Sequence, residues 1–517
     1  MQNSENIKIS SRHTIAQNTG VLYLRTLFLL LINLYTSRVI LNTLGVIDYG
    51  IYIAVAGVIS MLSLISSPLA NAISRFITFE IGKSNEQNIK SVITTSRAII
   101  LMFIIVVALL LESVGLWFLN NIMTIPNVRL ETVQIVYQIA VLCFIFSILQ
   151  ISYNSIIIAY ERMTAYAYIG IIDAILKLVI AISLYNVEQD KLLLYVSLLL
   201  CESILIWLIY MIYVKRNFAT IFSLSIHINR KIFSQMFGYA GWNLFGGAAS
   251  TCQIHGTNIL LNVFGGPIVN AAQGIANQVS NAVLSFMGNF TTAINPSIIK
   301  SYASQNFDYM NSLVIQGAKY SFFMLWLIVL PLELETEIIL SLWLGEIPNH
   351  AVLFVRLVII YPLIESLSKT VMTAINATGN VMLYQLSVGS LLLLNIPISY
   401  LLLKNDFPVE TTAIVAAVLG IFALWTRLLI CQKLTNIKLY KFSKDVIYKV
   451  LIVCLVSSLA PLIVVHYMDS CFLRLFIILI LSFISISLSV LYIGCSLNEK
   501  NKILGLIKKT VIKYVKI

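Results

Sequence analysis

Between residues 18 and 495 the chain is a succession of apolar stretches separated by short polar connections. Each stretch is about 20 residues long, the length an α-helix needs to cross a hydrocarbon layer of roughly 30 Å. A soluble core makes no such repeated demand. Only 11% of the residues are charged, against about 25% in soluble domains, so a soluble fold is excluded. The pattern predicts an all-α integral membrane protein with about fourteen transmembrane helices. The first covers residues 18–41, the second 49–79, the fifth 166–185, the sixth 192–214, the tenth 351–377 and the last 472–495.

The net charge of +12 lies mostly between and after these stretches, so it is a membrane signature and not one of nucleic-acid binding. One set of connections holds Lys83, Lys90, Arg162, Lys215, Arg216, Arg230, Lys231, Lys300 and Lys433. The alternate set has little beyond Arg129, Lys191 and Lys404. By the positive-inside rule both termini are cytoplasmic and the protein is multi-pass. The polar start runs straight into a full span, which predicts no cleaved leader. The seven cysteines fall in apolar segments without metal-ligand spacing, so the reading includes no metal, no cofactor and no disulfide framework. Gly82-Lys83-Ser84 ends like a phosphate-binding loop, but Ile77 stands where that loop requires glycine. The connections are too short for a membrane saccharide polymerase or ligase, and no catalytic constellation is present.

A repeat organises the chain. Leu41-Asn42-x-x-Gly45 is echoed by Leu261-Asn262-x-x-Gly265, and Asn71 and Asn295 stand near the far ends of the two copies. The repeat predicts two pseudo-symmetric six-helix lobes around a central cavity, over residues 1–214 and 233–433. A cytoplasmic linker, 215–232, joins them. Residues 434–495 add two C-terminal helices, and 496–517 form a basic cytoplasmic tail whose apolar periodicity suits an amphipathic helix on an anionic leaflet. In the second copy Asn270, Gln273, Asn277 and Asn281 share one helical face, which predicts a wet cavity.

Ionisable groups inside spans are costly and point to function. Arg25 lies deep in the first span with no acid one turn away, beside a sector holding Thr19, Thr26 and Asn33. Asp173 and Lys177, and Glu365 and Lys369, are spaced i, i+4 and form pairs, structural or coupling. Glu202 lies at the depth of Lys177, and a Lys177–Glu202 contact is expected. Arg356 sits toward the outer end of its helix. Arg38, Arg75, Lys319 and Arg427 stand near span ends, where long cations snorkel to the interface. His255 reads as a hydrogen-bonded packing histidine, with proton carriage the alternative.

Leu44-Gly45-x-x-Asp48-Tyr49-Gly50-Ile51-Tyr52, followed by Ser74-Arg75-Phe76 and Glu80-x-Gly82, resembles the second-helix region of polysaccharide-transporter flippases. These are the O-antigen or Wzx-type members of the MOP superfamily, which also includes the MATE exporters and the lipid II flippase. The resemblance implies a non-enzymatic flippase of the bacterial cytoplasmic membrane. Its substrate would be a polyprenyl-pyrophosphate-linked glycan, moved by alternating access while the lipid tail stays among membrane lipids. A proton or sodium gradient, or the membrane potential, would supply the coupling. Arg25 best matches the family's cationic cavity, with Asn33, Asn71, Asn270, Gln273, Asn277 and Asn281 as hydrogen-bonding partners for the glycan. The alternatives are a lipid II-type precursor flippase and a MATE-like ion-coupled exporter. MATE exporters use a carboxylate in the first helix, and the first span here has none.

Overall fold

The computed structural model describes residues 2–60, 63–121, 129–188, 190–222, 225–496 and 499–501. The amphipathic helix expected in the tail lies outside them. Among the described residues, twelve helices are long and apolar enough to cross a membrane. One of these, Arg230–Ala303, is 74 residues long and contains a non-helical residue, Gly266, at φ 74°. Asn277 donates a hydrogen bond to the Asn258 side chain at 3.4 Å, across 19 residues of sequence. A straight helix would hold those residues roughly 28 Å apart, so the chain folds back at Gly266 and makes two passes. Positive φ suits glycine, and Pro267 beyond it opens the returning limb with a preset φ. Gly45, at φ 77°, interrupts Gln2–Ser60 in the same way, and a further helical limb follows it. The fold is therefore all-helical and membrane-spanning, with about fourteen passes.

The helices used below are α1 (Gln2–Ser60), α2 (Ser63–Gly82), α3 (Glu86–Leu110), α4 (Leu130–Ala159), α5 (Met163–Ser183), α6 (Lys191–Asn217), α7 (Arg230–Ala303), α8 (Phe307–Leu334), α9 (Thr336–Leu344), α10 (Ala351–Thr378), α11 (Met382–Leu393), α12 (Asn395–Lys404), α13 (Thr411–Thr435), α14 (Lys449–Tyr467) and α15 (Phe472–Ser489).

The repeat has a definite register. Gly45 and Gly266, and also Ser84 and Gln305, are 221 residues apart, and all four have positive φ. Ser84 and Gln305 close their helices with the same three backbone bonds: Lys83, Ser84 and Asn85 donate to Phe79, Ile81 and Glu80, and Ser304, Gln305 and Asn306 donate to Lys300, Tyr302 and Ser301. The bending glycine of the second copy is therefore Gly266, one residue beyond the Gly265 that the Leu-Asn motif pairs with Gly45. A left-handed residue marks register better than an apolar motif, because few side chains tolerate that backbone.

The chain forms two compact units. Unit 1 comprises Met1–Ala248, Thr292–Asn306 and Gly379–Met382. Leu22 of α1, Met163 of α5 and Ala293 of α7 are fully buried together in its core. At its lysine-bearing end, Lys300 bonds Glu161 at 2.8 Å, Asn18 donates to the Glu161 carbonyl at 3.3 Å, and Gly82 lies against Lys300 and Ala303 too closely to admit a Cβ. At the other end Arg129 joins Asp48, at 2.7 Å, and Asp190, which also caps α6 through the Leu192 and Leu193 amides. A single arginine thus ties three connections together.

Unit 2 comprises Ala249–Thr291, Phe307–Thr378 and Leu383–Ile517. In it α10 packs between α8 and α13, and α14 and α15 pack on each other and on α8. Trp326 donates to Ser457 at 3.0 Å. Arg474, at the start of α15, holds the buried Glu335 carboxylate through two bonds of 2.7 and 2.9 Å.

Three of the four cations expected to snorkel do not. Arg75, Lys319 and Arg427 are buried, and only Arg38 is exposed. Arg75 sits among the rings of Phe76, Phe79 and Tyr239 and beside Gly379. Lys319 meets Glu499 at 3.0 Å, and Arg427 meets Glu365 at 2.6 Å. A nearby span end permits snorkelling, but a carboxylate or aromatic cage supplied by another helix gives a closer partner.

Candidate functional site

Unit 1 carries the Arg25 site. The Arg25 guanidinium lies 4.4 Å from the centre of the Tyr166 ring of α5. One turn on, Gly170 leaves room for it: a Cβ there would come within 2.7 Å of Nε and Nη2. Arg25 Nε is buried without a hydrogen-bond partner. The neighbouring Thr19 and Thr26 hydroxyls turn back onto Ile15 and Leu22 carbonyls at 2.8 and 3.0 Å. They satisfy their own helix and do not mark a wet face on their own account. Asn33 and Asn71 are exposed.

On the same helix, α5, Lys177 pairs with Asp173 at 2.8 Å. Among the described residues no ion pair joins Lys177 to Glu202, contrary to the contact expected from their like depth. Glu202 is buried on α6 with Oε1 unpartnered. Depth alone does not choose between two acids, and the intrahelical spacing prevails.

Unit 2 holds a polar cavity of about 140 Å³. Both limbs of α7 line it, through Gln253 and Thr257 before the bend and Gln273, Asn277, Ser280 and Asn281 after it. Tyr361 of α10, Asn395 of α12 and Thr412 of α13 complete the polar wall. The amides form a chain: Gln273 donates to Asn277 at 3.2 Å, and Asn277 to Asn258. Asn395 donates to Thr257 at 3.2 Å and accepts from Ser399 at 3.0 Å. Gln273 Oε1 is buried without a partner, an acceptor turned away from water. Asn270 is half-buried and does not line the cavity. His255 is exposed, not packed.

Beyond Tyr361, one turn along α10, lies a buried charge cluster. Glu365 accepts from Arg427 at 2.6 Å and from Lys369 at 3.1 Å. Arg427 also donates to Ser368 at 2.7 Å. One carboxylate thus serves two cations. Arg356, nearer the end of α10, donates to Thr336 at 3.2 Å.

Asn258 and Asn395 were not among the residues singled out from sequence, and Arg427 was read there only as a snorkelling cation. Asn395 carried a signal: a lone amide two residues before Pro397, which has no N–H for the Leu393 carbonyl. The helix breaks at Leu394, between α11 and α12, and the amide at the break faces the cavity.

No family model matches the chain, and no curated protein does. Solved structures do match. The fold is that of the MATE transporters. A MATE crystal structure in the bent conformation superposes with a TM-score of 0.70 at 14% identity, covering 82% of this chain and 97% of that one. The outward-facing conformation of a multidrug resistance MATE family transporter of the MOP superfamily gives the same TM-score, identity and coverage. A MOP superfamily transporter from Pyrococcus furiosus Vc1, for which reversed polarity of the binding pocket suggests a different function, aligns at 0.70 with 13% identity, covering 82% and 96%. All three are covered nearly whole, so this chain carries length that they lack.

Proposed function

We propose that the chain is a flippase that moves a polyprenyl-pyrophosphate-linked oligosaccharide across the bacterial cytoplasmic membrane by alternating access, for cell-surface polysaccharide synthesis. The observation that carries this reading is the state of Arg25. A mid-span arginine costs at least roughly 2.5 kcal/mol on insertion scales. Its ring contact with Tyr166 returns about 0.5–2 kcal/mol. No ion pair to a carboxylate is found for it among the described residues, and Nε is left buried and open. A diphosphate fits this deficit, because a guanidinium binds phosphoryl oxygens in pairs. A first span without acid suits an anionic substrate better than the cation exported by a MATE protein. The pocket of reversed polarity in the Pyrococcus furiosus neighbour offers a precedent, within one fold, for polarity that tracks function.

In this scheme residues 1–214 and 233–433 are the two lobes, joined by the 215–232 linker. The share of this chain beyond the solved neighbours is close to that of residues 434–517, the two added helices and the basic tail. The termini and the Lys300 end of unit 1 face the cytoplasm. The amides of the unit 2 cavity, Gln273, Asn277 and Asn281, contact sugar hydroxyls, with Asn33, Asn71 and Asn270 along the route.

The test is complementation of a flippase deletion, scored by surface glycan with membrane protein level measured alongside. Arg25→Ala should abolish export at normal protein level, and Arg25→Lys should retain part of it, since charge survives but the paired donors do not. Full surface glycan in Arg25→Ala would refute the assignment.

A further inference from the structure

The unit 2 cavity has a size, a floor and a mouth, and together they define what fits it. Its volume is about 140 Å³, and an apolar cavity of roughly 150 Å³ takes one benzene ring. One six-membered ring is therefore the limit, and two linked sugars do not enter. Thr257, Asn395 and Thr412 are buried and form the floor. Ile254 and Asn281 are exposed and mark the mouth. The floor hydroxyls are already used as donors. Thr257 donates to the Gln253 carbonyl at 2.8 Å, and Thr412 to the Val409 carbonyl at 3.0 Å. A hydroxyl that donates to its own helix still has lone pairs with which to accept. Gln273 Oε1 is an acceptor without a partner, and the broad terminal torsion of glutamine lets it turn to a donor. Tyr361 supplies a ring, seated against Gly420, where an added Cβ would lie 3.1 Å from Cδ2. Val358, Ala413 and Ala416 add apolar surface. Among the described residues the lining holds no charged side chain. The cations beyond Tyr361, Arg427 and Lys369, are already engaged by Glu365.

We propose that this cavity is a subsite for a single uncharged pyranose residue of the transported glycan. A sugar ring carries hydroxyls around its rim, each a donor and an acceptor, and C–H groups on its faces. The rim suits the amides and the floor hydroxyls. A face suits Tyr361 and the apolar wall. A uronic acid would bring in a carboxylate with no free cation to meet it, and an unpaired buried charge is costly. One residue enters past Asn281, and its neighbours in the glycan stay at the mouth. Both limbs of α7 supply walls, so the subsite exists only because the chain folds back at Gly266. The subsite thus reads one sugar, through uncharged groups alone. That the ligand is part of a transported glycan rests on the flippase reading; the fit of a lone sugar ring to the cavity does not.

The test is saturation-transfer NMR on the full-length protein in nanodiscs. The probes are the methyl glycosides of glucose, galactose and mannose, each beside the methyl glycoside of its uronic acid, and methyl lactoside. At least one neutral glycoside should bind, at least about tenfold more tightly than its uronate at neutral pH, and methyl lactoside should bind no more tightly than the best single sugar. Gln273→Met should weaken that binding about fivefold, the worth of one hydrogen bond. Ala416→Phe, which fills the cavity, should abolish it. In cells, Gln273→Met should lower surface glycan at normal membrane abundance. A cavity that holds only water would give no transfer to any neutral glycoside, and that result, or equal binding of the uronates, would overturn the subsite. Binding unchanged in Ala416→Phe would place the sugar elsewhere and overturn it as well. None of these outcomes touches the Arg25 assignment. Full export by Arg25→Ala, with neutral glycosides still bound by the unsubstituted protein, would instead remove the pyrophosphate reading and leave the sugar site standing.

Discussion

Glu365 offers the sharpest measurement of what a buried charge does in this protein. It holds Arg427 at 2.6 Å and Lys369 at 3.1 Å, and the Arg427 side chain is only 3% exposed. Glu365→Gln keeps the shape but leaves two cations facing a neutral amide. Removing one partner from a buried pair costs roughly 3–5 kcal/mol, most of it the desolvation of the charge left behind. Lys369, with 29% of its side chain exposed, keeps access to water, so Lys369→Met should cost about 1 kcal/mol or less. Arg427→Met leaves Glu365 with Lys369 and falls between the two. In the double variant Glu365→Gln/Arg427→Met no buried charge is stranded, and the loss should be smaller than that of Glu365→Gln alone. Unfolding of the purified protein in detergent, run as a double-mutant cycle, measures the coupling. Losses that add to within roughly 0.5 kcal/mol would refute the argument. Export by the double variant separates the roles. Restored stability with restored export makes the cluster a structural tie, whereas restored stability without export places its charge in the transport path.

Gly170→Ala should push the Arg25 guanidinium off α5 and lower export without lowering membrane abundance; unchanged export would mean that its seat against the helix does not matter. Glu161→Cys/Lys300→Cys, bridged by a reducible bifunctional thiol reagent, should lock the lysine-bearing end of unit 1 and stop export, with recovery on reduction. Continued export by the cross-linked protein would show that this contact never opens. For Glu499, burial raises the carboxyl, but the Ser496 amide and Lys319 outweigh it and hold the group below its ordinary value. A depressed acid stabilises above its unfolded pKa, about 4.3, and that contribution is lost as pH falls through the lower folded value. Thermal unfolding of the unsubstituted protein and of Glu499→Gln should therefore differ near neutral pH and converge in acid; a constant gap would rule out the Lys319 pair as its cause.

The spans, their number and the repeat were legible in the sequence because a bilayer imposes one length and one polarity on every crossing helix. The i, i+4 pairs Asp173–Lys177 and Glu365–Lys369 were legible too, since helical spacing alone brings them together. What belongs to one helix can be read from one helix. Which helix answers another was decided only by tertiary packing. Arg427 looked like an interfacial cation until α10 presented Glu365, and Lys319 until Glu499 met it. Thr19 and Thr26 stand near Arg25 in sequence, but only the structure shows their hydroxyls turned onto their own helix. Lys177 and Glu202 share a depth, but depth leaves the rotation of each helix about its axis undetermined, and Lys177 pairs with Asp173 on its own helix. The cavity amides follow the same rule. Gln273, Asn277 and Asn281 form a stripe visible at helical period, whereas Asn258 and Asn395 join them only because the chain folds back at Gly266 and breaks before Pro397. A side chain's type and its place along one helix are local properties of the chain. Its partner is set by the rotation and register of a second helix, which no single stretch of residues contains.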